Sequence, residues 1–203
     1  MRSLRAASAA GRRCSTSSRC DAMADPMRAE VVTLKDGRKV VVRPARLSDA
    51  ESLLRNVNLI GREGVFILID EVGPNLDEER QWLGTFDGVR SVLFVADADG
   101  ESIGSTDCHG GRYAKTRHVG GIGIAIRDGW REVGLGRILM ERILEWMRAR
   151  GFKKAELAVF GSNRRARRLY ESLGFESEGI SRRHLLIRGA YEDEILMGLW
   201  LQD

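Results

Sequence analysis

The run Arg131-Glu132-Val133-Gly134-Leu135-Gly136-Arg137 joins an alternating apolar segment to a long amphipathic one, and this junction constrains the chain more than any other feature. Upstream, Val119 to Ile126 reads as a strand. Downstream, Leu135, Ile138, Leu139, Ile143 and Met147 recur at spacings of three and four, which predicts a helix from Gly134 to about Arg150, with Gly151 as its C-cap. Amides at a helix N-terminus have no intrahelical acceptor, the macrodipole favours negative charge there, and glycine lets a diphosphate approach without a Cβ in the way. Taken alone, Gly134 and Gly136 are better explained as a tight connection, so context has to decide. A dinucleotide fingerprint would place a third glycine where Leu139 stands, near the start of an alternating β/α pattern. A nucleotide-triphosphate loop would need Lys followed by Ser or Thr where Arg137-Ile138 stands. Both are excluded.

The rest of the chain frames that junction. Val31 to Leu34 and Lys39 to Arg43 flank Asp36-Gly37 and predict a hairpin whose tight turn takes its positive φ angles from the Asp-Gly pair. Ser48 or Asp49 caps a helix reaching about Ile60, and Leu76 to Leu83 forms a short helix with an acidic start. Between these helices Gly61 to Asn75 is irregular apart from the apolar run Val65 to Ile69. Ser91 to Asp97, Ser102 to His109 and Val119 to Ile126 predict an antiparallel meander. After the long helix come a strand from Ala155 to Phe160, a helix from Asn163 to Leu173 ended by Gly174, and two strands over about Ser181 to Ile187 and Glu192 to Leu201.

Bulk properties narrow the classes. The 203 residues, 43% apolar, suffice for one domain and leave no room for a second large one. No apolar run approaches the roughly 18 residues that a membrane-spanning helix needs, so no membrane partner is expected. The three cysteines, Cys14, Cys20 and Cys108, lack metal-ligand spacing, and no metal is expected; a reducing, cytoplasmic setting follows. Residues 1–28 hold six arginines against Asp21 and Asp25, which accounts for the whole net charge of +4. The body is therefore neutral, and a nucleic-acid partner held by the arginine-rich stretch Arg164 to Arg168 is the weakest reading. Residues 1–28 are expected to be a disordered leader, either a mitochondrial type of presequence or a stretch upstream of a true start at Met23 or Met27, with the folded domain occupying 29–203.

Strand Ile122 to Ile126, turn Arg131-x-x-Gly134-x-Gly136 and the following helix resemble the central motif of the GCN5-related N-acetyltransferases. A second segment agrees: Leu157-Ala158-Val159, then Asn163, Ala166, Leu169-Tyr170-Glu171 and Leu173-Gly174-Phe175. The resemblance covers about residues 30–201, is strongest from Ile122 to Phe175, and points to the small stand-alone members. It implies an α/β (α+β) fold, with a mixed, mostly antiparallel sheet of six or seven strands flanked by four helices. It also implies transfer of an acetyl group from acetyl-CoA to an amine, on a small molecule or a peptide or protein N-terminus, by direct attack. Carried over residue by residue, Ile124, Ala125 and Ile126 bind pantetheine on a strand that splays from Ala155 to Phe160. Glu132, Val133, Gly134, Leu135, Gly136 and Arg137 hold the pyrophosphate, and Arg131 and Arg137 add charge. Asn163 and Ala166 contact the cofactor, and Tyr170 protonates the leaving thiolate. Many relatives carry Glu on the strand before the turn, where this chain has Gly121. That departure leaves His118, His109, Glu63 and Asp107 as candidate bases and motivates the alternative of a non-catalytic acyl-CoA sensor. Homodimers are common among such proteins, and the sequence leaves the oligomeric state open.

Overall fold

The computed structural model describes residues 25–201. Its strands are β1 (Glu30–Thr33), β2 (Lys39–Pro44), β3 (Ser91–Ala98), β4 (Glu101–Gly110), β5 (Val119–Ile126), β6 (Lys154–Phe160), β7 (Glu176–Ile187) and β8 (Ala190–Trp200). Its helices are α1 (Ala50–Gly61), α2 (Leu76–Leu83), α3 (Leu135–Ala149) and α4 (Arg164–Ser172), with two short 3-10 turns. All eight strands form one sheet in the order β1-β2-β3-β4-β5-β6-β8-β7. The fold class is as expected, but the sheet has eight strands rather than the six or seven that the resemblance implied, because the β1–β2 hairpin joins it by pairing β2 with β3; β7 begins at Glu176 rather than Ser181.

Strand alternation sorts the two faces. Val92, Phe94 and Cys108 face one way, onto Met140, Ile143 and Met147 of α3 and Tyr170 of α4. Leu93 and Val95 face the other way, onto Ala50 and Leu53 of α1 and Leu83 of α2. The sheet is thus covered on both sides, and α3 and α4 share a face.

Several local expectations are corrected. Asp36 does not take a positive φ; Gly37 alone does, at 87°, and the hairpin closes through Gly37 N–H to Leu34 and Leu34 N–H to Arg38. Asp49 stands at the start of α1 but does not cap it. Arg43 holds its carboxylate at 2.7 and 2.8 Å, the Arg46 amide donates to it at 2.7 Å, and Arg43 also reaches Asp97. The cap of α2 is Asn75, whose side chain accepts from Asp77 and Glu78. The apolar run Val65 to Ile69 has no regular secondary structure. The expected leader lies outside the described residues up to 24, but residues 25–28 belong to the body: they form a turn, Met27 packs on the main core, and Arg142 donates to the carbonyls of Pro26 and Arg28. Among the described residues no helix is long and apolar enough to cross a membrane.

Candidate active site

Every neighbouring strand pair is antiparallel except β5 and β6, which run parallel. Their ladder is short: Val119, Gly120 and Gly121 pair with Lys154, Ala155 and Glu156, and pairing stops there. β5 nevertheless continues to Ile126, still bonded to β4, and β6 continues to Phe160, still bonded to β8. The two strands diverge and leave the edges of Ile122 to Ile126 and of Leu157 to Phe160 open to each other. This is the splay that the resemblance implied.

Beyond the open end of β5 the chain turns into α3. Glu132 and Gly134 take positive φ of 65° and 93°, and Gly134 is the N-cap. A left-handed conformation costs a residue with a Cβ roughly 1–2 kcal/mol, which explains glycine at 134 and makes Glu132 a strained position. Backbone that alternates in this way aligns successive N–H groups into an anion-binding concavity. Having no side chain, Gly134 supplies no capping acceptor, and the first intrahelical bond is Ile138 N–H to Gly134. The opening amides of α3 are left for something else.

One cavity of about 830 Å³ runs along the splay, within the range of small-molecule and cofactor sites. Ile124, Ala125, Ile126, Arg131, Glu132, Gly134, Gly136, Arg137, Asn163, Ala166 and Tyr170 all line it. Val133 and Leu135 do not: their side chains turn into the core beneath α3, and Val133 offers its carbonyl to the Lys35 amide. Asn163 caps α4 through its side-chain oxygen on the Ala166 amide at 3.1 Å.

Tyr170 is buried, packs beside Phe175, and has no hydrogen-bond partner for its hydroxyl among the described residues. Burial pushes its phenol up to about 12, so the hydroxyl stays protonated throughout the physiological range.

Arg131 has its partners within the fold. Its guanidinium is locked onto both Glu63 oxygens at 2.5 and 2.6 Å and onto the Ile126 carbonyl at 2.7 Å, with the Phe66 ring beneath it. It braces the turn against the segment after α1, and its charge is already neutralised. Glu63, engaged there, is no free base. His118 stacks on Trp200, and neither His118 nor His109 lines the cavity. Asp107 does. It lies opposite Gly123 in the β4–β5 register, and a Cβ on Gly123 would sit 2.5 Å from its Oδ1. The carboxylate therefore occupies space that glycine vacates. Desolvation raises the Asp107 pKa, opposed in part by the charge of His109, 3.7 Å away.

Sequence reasoning missed several lining residues. Lys35 packs its stem over Gly134, brought there by the hairpin turn. Leu53, Val57, Trp82 and Glu79 come from α1 and α2, and Glu194 from β8. Nothing local marks them; they meet through topology. Among the described residues no cluster of metal-ligating side chains occurs.

This geometry agrees with what the chain is similar to. The model of the acetyltransferase (GNAT) family matches residues 66–175. An L-amino acid N-acetyltransferase, AaaT, of Escherichia coli is 31% identical over 107 residues, 51% of this chain and 64% of the relative. A ribosomal protein bS18-alanine N-acetyltransferase of Salmonella typhimurium is 38% identical over 76 residues, 37% of this chain and 51% of the relative. The match thus spans between half and two thirds of these relatives. The crystal structure of a GNAT-family acetyltransferase from Streptococcus pneumoniae superposes with a TM-score of 0.76 at 26% identity, covering 80% of this chain and 99% of that one. With the family model spanning more than half of the chain and the splayed strands and glycine turn in place, the chain belongs to the GNAT acetyltransferase family.

Proposed function

We propose that this protein transfers an acetyl group from acetyl-CoA to a primary amine. The observation that carries the reading is one cavity that joins three things: the open edges of β5 and β6, the unpaired amides at the start of α3, and the hydroxyl end of Tyr170. The amides after Gly134, with Lys35 and Arg137 beside them, suit a diphosphate. The edge of β5 from Ile124 to Ile126 that faces β6, where no strand pairs with it, suits the amides of a pantetheine arm, and Asn163 and Ala166 line the same cavity. The names of the relatives, which speak of acetylated amino acids and a ribosomal alanine, support an amine as acceptor.

The chemistry is a direct transfer. The neutral amine nitrogen attacks the thioester carbonyl carbon, the N–C bond forms, the C–S bond breaks, and the amine proton must leave. Asp107 is the base we assign, the carboxylate among the four sequence candidates that borders the cavity without a bound guanidinium. It answers the absence of a carboxylate at Gly121, from the neighbouring strand. Tyr170 donates a hydrogen bond to the departing sulfur. With its phenol near 12 and a thiol near 8.5, complete proton transfer would be uphill by about 5 kcal/mol, so the hydroxyl stabilises the thiolate while the net proton comes from the amine. A cytoplasmic setting accompanies the reading, since Cys108 is a free, buried thiol.

Two measurements test this: calorimetric titration of acetyl-CoA into the purified full-length protein, and release of free thiol in the presence of amines. Saturable binding with amine-dependent release is expected. Absence of binding at millimolar ligand would remove the proposed activity, and binding without release to any amine would favour the sensor reading.

A further inference from the structure

We infer that the acceptor half of the cavity is built for a protonated primary amine that carries an apolar body and has no carboxylate beside the amine. The inference rests on the acetyl-transfer reading and deepens it. Backbone alternation supplies the first step. Cys108 and Ile195 point into the core under α3, so Asp107 and Glu194 project from the opposite face, the one covered by α1 and α2. Both line the cavity, and so does Glu79 of α2. Glu79 has no ion-pair partner among the described residues, while Asp107 and Glu194 meet only imidazoles, at 3.7 and 3.6 Å.

The cations of the cavity come from other elements. Lys35 belongs to the β1–β2 turn, Arg131 and Arg137 to the glycine turn and α3, and Arg165 and Arg168 to α4. Arg131, on the segment that borders the acceptor side, is already held by Glu63. A free amino acid would bring its carboxylate into a space that presents three carboxylates, while the guanidiniums over Phe66, those of Arg131 and Arg165, already pair with Glu63 and Glu132. An ammonium group would meet those carboxylates favourably and reach Asp107 as it loses its proton. A separate observation marks the same cavity as a ligand site: Tyr170, 5% exposed, keeps a hydroxyl without a partner there. The walls dictate the rest of the ligand. Leu53, Val57, Leu93 and Trp82 join Ile67 and Ile69 of the irregular segment, and Trp82 and Ile69 stay 41% and 48% exposed, so an apolar side chain would cover surface left open to water. The shared chemistry fits a small aryl- or alkylamine and the N-terminus of a chain with an apolar first residue.

The test is kcat/KM for the full-length protein with acetyl-CoA and matched acceptors: L-phenylalaninamide against L-phenylalanine, L-leucinamide against L-leucine, together with phenethylamine and a tetrapeptide beginning with Phe. Like-charge juxtaposition should set the amides above the free acids by about tenfold or more. Glu79→Lys, at a half-exposed helix position, should shrink that ratio while leaving acetyl-CoA affinity as it was. Preference for phenethylamine or for the tetrapeptide identifies the source, and either supports the inference. Equal or better use of the free acids overturns it while the acetyl-transfer reading stands. Thiol release from none of these acceptors by protein that still binds acetyl-CoA also overturns it, and favours the sensor reading. Failure to bind acetyl-CoA removes the underlying reading and the inference with it.

Discussion

Replacing Gly123 by alanine separates the placement of Asp107 from the stability of the sheet. The new Cβ would lie 2.5 Å from Asp107 Oδ1, 3.2 Å from Cγ and 3.3 Å from Oδ2. All three distances are below ordinary contact, and the atoms belong to the end of a rotatable side chain, so the carboxylate swings aside rather than the strand. Leaving its rotamer well costs about 0.5–1.5 kcal/mol, and alanine in place of glycine returns about 0.4–1 kcal/mol through the unfolded chain. The net change in stability is therefore within about 1 kcal/mol, a few degrees in Tm. Moving the base by about 1 Å is far more damaging to turnover, of order 10²-fold in kcat/KM for the amine. Gly121 is the internal control. It lies on the same strand and face, two residues away, and a Cβ there meets nothing within 4 Å. Steady-state kinetics with the preferred amine, alongside thermal unfolding and acetyl-CoA calorimetry, should show Gly123→Ala losing turnover with intact acetyl-CoA binding, and Gly121→Ala within about twofold of wild type. Equal activity of the two variants would refute the assignment of Asp107, and so would a loss in Gly123→Ala that merely tracks unfolding.

Other consequences follow from the same site. Tyr170→Phe should lower kcat by at least tenfold with acetyl-CoA affinity nearly unchanged, and because the phenol lies near 12, the wild type should show no alkaline limb from Tyr170 below about pH 10 in a kcat profile. Gly134→Ala must hold a Cβ at φ 93°, so it should lose about 1–2 kcal/mol in denaturant unfolding and bind acetyl-CoA more weakly, as calorimetry would show. Burial raises the Asp107 pKa, so the group favours folding most below the ordinary carboxylate range, and that contribution is lost as pH rises through its raised value. The Tm advantage of Asp107→Asn over wild type should therefore grow across that rise, while wild-type kcat/KM climbs over the same window as the base ionises. Glu63→Gln removes the charge that holds Arg131, and should cost about 1.5–3 kcal/mol in chemical unfolding.

What could be read from the sequence is what short-range physics fixes. Gly134 after a strand and before an amphipathic helix declares a left-handed cap, Asn163 three residues before Ala166 declares another, and the alternation of β3, β4 and β5 declares their faces. Arg131 shows the limit. Beside a diphosphate turn an arginine reads as a phosphate ligand, yet its partner Glu63 stands 68 residues earlier in an irregular segment with no periodicity to align it. A charged side chain carries no local sign of whether its counter-charge is a substrate or another residue; the fold decides by what it brings within 3 Å. The same holds for Asp107, whose neighbours on its own strand say nothing of a glycine 16 residues away whose missing Cβ makes room for the carboxylate. The candidate base was invisible as a motif because it is a relation between two strands, one residue supplying the oxygen and the other supplying the space. By that logic a carboxylate on one strand in place of its neighbour needs only a glycine opposite, a change that leaves the glycine turn and its backbone amides as they are.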